Sequence, residues 1–296
     1  MKIVLTGSSG RVGRAIFNAL CERHEIVGID RSPFSSTHIL GDFTHKALLR
    51  SVLSGADVVI HTAALHAPHV GVVPDEEFRR INLEGTRLVA REAIAAGVKR
   101  LIFTSTTALY GHAVLSGSCT WIDEDTPPLP KSIYHRTKLD AEYALEDMAG
   151  PNLAVRVLRM SRGFPEPADR MAAYRLHRGV DLRDVADAHA AAVTNDGPHF
   201  QRYIVSAASP FAMEDCDTLS VDAASVIRRK APALAAEFDR RGWALPGQID
   251  RVYHSLRAES GLGWRSRFGF DEVLAQLDRR SLEVLPPGSC VRTTPE

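Results

Sequence analysis

A parallel, doubly wound α/β sheet followed by a smaller, mostly helical C-terminal lobe is the fold this sequence predicts. Three observations carry it. Short Val-, Ile- and Leu-rich runs alternate with helical patterns through the first half of the chain. The first run breaks at Thr6 into a glycine-rich turn, Gly7-Ser8-Ser9-Gly10-Arg11-Val12-Gly13, that opens a helix. An acidic residue, Asp30, closes the next run, about 20 residues on.

The expected strands are 2–5, 25–29, 57–60, 100–104 and 153–158, with the composition of strands buried on both faces. Helical periodicity fills the intervals at 12–23, 44–53, 75–96 and 134–148. Strand alternating with helix predicts right-handed crossovers and a ligand crevice outside the carboxyl ends of the strands. Beyond Arg159 the alternation weakens, and Phe164-Pro165-Glu166-Pro167 reads as a turn-rich break. A helix at 180–193 and a strand at 201–205 return to the sheet. From Ser209 onward helical patterns at 226–241, 249–260 and 270–277 predict helices joined by loops, and 286–296 reads as a loose tail. The expected division is residues 1–165, with 179–208 returning, as a nucleotide-binding domain, and 209–296, with 166–178, as a substrate lobe.

Composition narrows the function classes. The 296 residues are 45% hydrophobic and 24% charged, as in soluble globular proteins. Equal numbers of basic and acidic residues, 36 of each, give no electrostatic case for nucleic acid or an anionic membrane. Arg228-Arg229-Lys230 is too short a basic run to change this. No apolar stretch reaches bilayer length, and the first apolar run enters the glycine turn rather than a signal-peptide pattern, so a cytoplasmic protein is expected. Cys21, Cys119, Cys216 and Cys290 lack metal or redox spacing, and Cys21 falls in the first helical pattern as an expected core residue. His61, His66 and His69 lack a fourth ligand at zinc-like spacing, so no metal site is expected.

The chemistry concentrates at the expected strand ends. The glycine turn lets backbone amides approach a phosphate, and the helix behind it adds its positive end. Gly7 can take a shape that side chains forbid, Gly10 lets a pyrophosphate come close, and Gly13 lets the helix pack on the strand. Asp30 can accept hydrogen bonds from a ribose 2′-hydroxyl and repels a 2′-phosphate, which favours NAD over NADP. Arg31 pulls the other way, because a guanidinium holds phosphate. Tyr134 and Lys138, four apart, share a helix face. A free tyrosine titrates near pH 10, and an adjacent ammonium lowers that by favouring the phenolate. The fourth strand ends Phe103-Thr104-Ser105-Thr106-Thr107-Ala108-Leu109-Tyr110-Gly111. A hydroxyl there can face the same cleft and bond a substrate oxygen, or simply serve a turn.

Taken together, Thr6-Gly7-x-x-Gly10-x-x-Gly13, Asp30, Asp42, His61-Thr62-Ala63-Ala64, Asn82 in Asn-Leu-Glu-Gly-Thr, Thr106 to Tyr110-Gly111 and Tyr134-x-x-x-Lys138 resemble the extended short-chain dehydrogenase/reductase family. The branch most resembled is that of the NAD-dependent nucleotide-sugar epimerases and dehydratases. The resemblance covers about residues 1–160 and continues faintly through Asp181-Leu182-Arg183-Asp184-Val185-Ala186-Asp187 and Leu262-Gly263-Trp264. It implies a Rossmann domain and Thr106, Tyr134 and Lys138 as the catalytic set, with Lys138 also on the nicotinamide ribose. It implies Asp42 and Phe43 beside the adenine, Ala63 and Ala64 along the pyrophosphate and nicotinamide, and Asn82 as a structural support. Ser9, Arg11, Val12, Thr62 and Thr104 complete the implied cofactor set.

Ser105, Thr106, Arg162 and Arg251 are the expected substrate contacts. Where the family places Asn-Val-Tyr-Gly-Pro, this chain reads Arg159-Met160-Ser161-Arg162-Gly163-Phe164-Pro165. Arg162 there can hold a phosphate or carboxylate, or fill a changed loop. The implied activity is epimerase/dehydratase chemistry on a sugar or nucleotide sugar. The alternative is net NAD(P)-dependent oxidation or reduction of a sugar acid, lactone or small hydroxy or keto compound. A homodimer through the helices at 75–96 and 134–148 is also implied.

Overall fold

Seven of the apolar runs assemble into one sheet in which every pairing is parallel. The structure, a computed structural model, describes residues 1–289. The strands in chain order are β1 (Lys2–Thr6), β2 (Glu25–Asp30), β3 (Ile39–Leu40), β4 (Val58–His61), β5 (Arg100–Thr106), β6 (Thr120–Ile122), β7 (Ala154–Met160), β8 (Phe200–Val205) and β9 (Arg251–Tyr253). The large sheet runs β3-β2-β1-β4-β5-β7-β8. Chain order reverses between β1 and β4, and a crevice opens at such a switch point.

Strand alternation sorts the core into two layers. Val4, Val59, Leu101, Phe103, Val155 and Val157 face one side, where Leu49, Phe78, Val89, Ala141 and Leu145 cover them. These come from the helices Lys46–Leu53, Asp75–Phe78, Gly85–Ala95 and Ile133–Met148. Ile3, Leu5, Val58, Ile60, Ile102 and Leu158 face the other, under the helices Arg11–Leu20 and Leu182–Val193. A third core, with Met171, Phe211, Leu219, Val226, Phe238, Val252 and Val273, joins the helix Ala168–Tyr174 to the C-terminal helices.

The structure departs from expectation in four places. The helical pattern at 226–241 is broken into Ala223–Lys230 and Pro232–Arg241. Pro232 excludes the helical shape from the residue before it, and Ala231 sits at φ −133°, ψ 57°. The pattern at 249–260 contains β9 before the helix Leu256–Leu262, and β9 pairs in parallel with β6. Three-residue strands are too short to show a period of two. The helix expected at 75–96 contains a π-helical segment, Arg79–Glu84. Cys21 is exposed rather than core, because the helix ends at Leu20.

Of the expected tail, residues 290–296, with Cys290, lie outside the described residues. Among the described residues, no helix is long and apolar enough to cross a membrane.

Candidate active site

The glycine turn is built on contacts that side chains would block. Gly7 has φ +74°, and its amide donates to the Ile29 carbonyl at 3.0 Å. A Cβ on Gly7 would stand 2.5 Å from Thr62 Oγ1 and 2.7 Å from the Ala63 nitrogen. A Cβ on Gly13 would stand 2.1 Å from the Gly7 oxygen. At Gly10 the nearest such neighbour is the Gly7 oxygen at 3.3 Å, so its outer side is open. Gly10 precedes the helix Arg11–Leu20 without a side chain to cap it. The first-turn amides of Arg11, Val12 and Gly13 therefore stand where an anion can meet them.

Around this turn the expected cofactor residues gather. The Asp30 carboxylate accepts the Ser9 amide at 3.1 Å and the Ser32 amide at 2.9 Å, so it braces the turn. Each carboxylate oxygen has lone pairs beyond those two bonds. Thr62 donates to the Thr6 carbonyl at 2.8 Å, and Ala63 and Ala64 follow, half-buried. Burial raises the Asp42 carboxyl, but hydrogen bonds from Thr44 and the charges of Arg31 and Arg80 outweigh it and hold Asp42 below its usual value. The Phe43 ring is buried, 5.1 Å from the His61 ring and against Gly85, so its side chain belongs to the core. Arg11 reaches elsewhere: its guanidinium donates to the Gly163 carbonyl at 3.3 Å and pairs with Glu283.

Ser132 caps the helix Ile133–Met148 by accepting the His135 amide, which sets Tyr134 in the first turn. The Thr106 hydroxyl, at the end of β5, accepts the Ala108 amide at 3.1 Å and neighbours the Tyr134 phenol. Burial pushes that phenol up to about 12, and the neighbouring Thr106 hydroxyl pulls against the rise. Lys138 lies one turn further. Its Nζ donates to the Thr104 carbonyl at 2.7 Å and sits 3.7 Å from the centre of the Phe103 ring. Burial drives this ammonium down to about 7, against the pull of Glu142. The expected effect of Lys138 on the phenol is thus outweighed here: burial governs Tyr134, and the ammonium is directed at Thr104 and Phe103.

Two neighbours fix this geometry. Asn82, in the π-helical segment, accepts the Leu65 amide at 2.8 Å and donates to the Leu65 carbonyl at 2.9 Å and to Thr137 at 3.2 Å. It ties the loop after β4 to the helix of Tyr134. The Thr104 hydroxyl meets His189 Nε2 at 2.8 Å, while His189 Nδ1 lies 2.8 Å from the Val185 carbonyl. Burial lowers His189 to about 4, so the ring is neutral at pH 7. Nδ1 then donates to the carbonyl and Nε2 accepts from Thr104.

Ser105, expected to touch substrate, does not face the cleft. Side chains alternate along β5, and Ser105 points under the sheet end to donate to Glu142. Glu142 is wholly buried and bonds Arg159 at 2.7 Å through Nη2 and 3.1 Å through Nε. Arg159 also donates to the Tyr110 hydroxyl. This network was invisible in the sequence, because its members lie on β5, β7, the helix and a loop.

Arg162 follows β7 and pairs with Glu166 at 2.7 Å, its guanidinium carbon 5.9 Å from the ring centres of both Phe164 and Tyr174. The His66 ring, from the loop after β4, stacks on Phe164 at 6.3 Å and 19°. Since β5 lies between β4 and β7, this stack spans the edge that carries Thr106. Arg251, also expected at the substrate, has its fork on Asp250 at 2.6 and 3.1 Å. A cavity of about 470 Å³ opens beside it, lined by Ser118, Tyr174, His177, Arg178, Gln248 and Asp250 among others. Sequence reasoning missed it because four distant segments contribute its wall.

Comparison with known proteins gives matches over the same region. The sequence model of the NAD dependent epimerase/dehydratase family matches residues 3–171. A 3-beta-hydroxysteroid dehydrogenase of Mycolicibacterium neoaurum is 30% identical over 156 residues, 48% of this chain and 41% of its own. With this and similar curated relatives the match spans about half or less of their length. A UDP-glucose 4-epimerase of Vibrio cholerae is 27% identical over 283 residues, 83% of this chain and 79% of its own. A UDP-glucose 4-epimerase of Thermotoga maritima, solved with UDP-glucose, superposes with a TM-score of 0.69 at 18% identity. That superposition covers 95% of this chain and 99% of the other, and the likeness is one of fold.

Proposed function

Because this chain belongs to the NAD-dependent epimerase/dehydratase family, we propose that it oxidises and re-reduces a hydroxyl-bearing carbon of a sugar or nucleotide sugar. One observation carries this reading: the Thr106 hydroxyl neighbours the Tyr134 phenol at the carboxyl end of β5, on the sheet edge that also carries the glycine turn. In the same reading residues 1–165 with 179–208 hold the cofactor, and 209–296 with 166–178 cover the substrate.

The open side of Gly10, the uncapped amides of Arg11, Val12 and Gly13, and the alanines after Thr62 fit a dinucleotide pyrophosphate. Asp30 fits a diol ribose better than a 2′-phosphorylated one. When bound, NAD supplies a hydride acceptor and then a hydride donor. Tyr134 takes the hydroxyl proton in the oxidative half and returns it in the reductive half. Thr106 holds the substrate oxygen beside the phenol, so both groups meet the charge that develops there. Lys138 spends one of its three donors on Thr104 and keeps others for a ribose hydroxyl. Asn82 keeps the loop of Ala63 and Ala64 at a fixed distance from these groups.

The test is incubation with NAD and a panel of UDP-hexoses and UDP-uronic acids, with sugar configuration followed by proton NMR. Inversion at one carbon without net NADH is the expected result. No conversion of any sugar or nucleotide sugar would sink the proposal. A net dehydrogenase is the second reading, favoured by the match to a steroid dehydrogenase and by Arg162 beside the cleft. It predicts steady NADH accumulation with a sugar acid or hydroxy compound. We also infer a homodimer through the helices Gly85–Ala95 and Ile133–Met148, the latter carrying the outward-facing Tyr143. A monomer by sedimentation at micromolar concentration would overturn that inference.

A further inference from the structure

The segment 280–285 leads from the C-terminal lobe back to the glycine turn. After the helix Phe270–Asp278, Arg280 at φ +58° turns the chain. Val284 then enters the lobe core, in the cluster of Phe211 and Val273. The Leu285 amide donates to the Glu166 carbonyl at 3.0 Å, and the Leu285 carbonyl accepts the Ala168 amide at 3.0 Å. Glu283 stands just before this anchored pair, and its carboxylate meets the Arg11 guanidinium. Arg11 is the first residue of the helix behind the glycine turn, and it also donates to the Gly163 carbonyl at 3.3 Å. The loop that carries Gly163 is backed by firm chain. The Arg162 amide donates to the Arg178 carbonyl at 3.1 Å, and the Arg162 carbonyl accepts the Val180 amide at 2.9 Å.

Arg11 follows β1 and Gly163 follows β7, with β4 and β5 between them in the sheet, a gap of about 14 Å at ordinary strand spacing. The Arg11 bond therefore crosses the carboxyl ends of β4 and β5. The crevice between β1 and β4, and the Ala63-Ala64 loop after β4, lie within that span. We propose that Arg11, the Gly163 carbonyl and Glu283 form a latch on cofactor exchange, with Glu283 as the positioning residue that holds Arg11 across the crevice. Closed, the latch bars a dinucleotide from entering or leaving the glycine turn. The Arg11 and Glu283 side chains are 28% and 53% exposed, so water takes over each charge at small cost when the pair parts. The backbone on both sides stays anchored, and opening is a movement of two side chains. Entry and exit both wait for the open state. A latch equally stable over an empty and a filled site slows both by one factor and leaves the affinity unchanged. The inference rests on the placing of a dinucleotide at the glycine turn and is independent of the sugar chemistry.

The experiment uses the full chain in a stopped-flow instrument, first mixed with NADH and then, once loaded, chased with excess NAD. NADH fluorescence reports both rates. Glu283→Gln should raise the association and dissociation rate constants together by about fivefold, the upper range for one exposed ion pair, with the dissociation constant within about twofold of wild type. Its thermal midpoint should stay within about 2 °C of wild type. Arg11→Gln breaks the latch from the other side and should speed dissociation by a like factor. The double variant should release NADH no faster than either single one. Faster association with slower dissociation in Glu283→Gln would make Glu283 a plain counter-charge to the cofactor and overturn the latch. So would unchanged rates in both variants, or weaker binding at an unchanged association rate. A wild-type chain that binds no NADH would overturn the placing of the cofactor, and the latch with it.

Discussion

The helix Ile133–Met148 has two ends that do opposite things. At its start, Tyr134 neighbours Thr106 at the carboxyl end of β5 and is the group proposed to meet substrate. Two turns on, Glu142 is wholly enclosed, with its oxygens shared among Ser105 and Arg159. Lys138 lies between, buried like the second, with its charge disfavoured by that burial. In the proposed reading, one helix thus carries a working group and a purely structural one.

Replacing Tyr134 with Phe tests the first end and carries the largest expected effect. Turnover should fall on the order of 10²–10⁴-fold, while the urea midpoint stays at the wild-type value. Equal loss of stability would erase the contrast. Glu142→Gln tests the second end: removing one partner of a buried pair should cost about 3–5 kcal/mol in urea unfolding. A variant of wild-type stability would show that Arg159 is hydrated.

The adjacent hydroxyls sharpen the comparison. Thr106→Val should lower kcat/KM by about 10–100-fold with little loss of stability, as for a hydrogen bond to a charged group. Ser105→Ala should do the reverse, keeping activity and losing about 1–2 kcal/mol of stability as Glu142 loses a donor.

Lys138 is read in a slope rather than in a single value. Its pKa is about 7 in the folded chain against an ordinary 10.5. Between those values the unfolded chain holds a proton that the folded chain does not, so stability rises with pH across that window. Below about 7 the cost of the buried charge is fully present. Lys138→Met should flatten the rise, read as the difference between the two urea-stability profiles from pH 7 to 10. Identical profiles would mean the ammonium is solvated.

Local signals were the legible ones. The glycine turn, Asp30 and the Tyr134–Lys138 spacing are each written within a few residues, because one turn or one helix face creates them. The choice between Ser105 and Thr106 is not local, since it depends on which face of β5 meets the helix. β9 hid inside a helical pattern because three residues show no period. The π-helical segment around Asn82 is stabilised by Leu65 and Thr137, contacts that no composition reports. The cavity beside Arg251 needed the lobe to fold before its wall existed.

The pairing of Arg11 with Glu283 has a consequence for the protein's synthesis. The partners are separated by 272 positions, so the turn leaves the ribosome long before its partner. Most of the large sheet can pair while the chain is still being made, since β7 ends at Met160 and β8 at Val205. The clasp over the turn closes only when Glu283 has left the exit tunnel. A nascent chain therefore passes through a stage with a formed glycine turn and an unclasped rim, open to dinucleotide before Glu283 is in place.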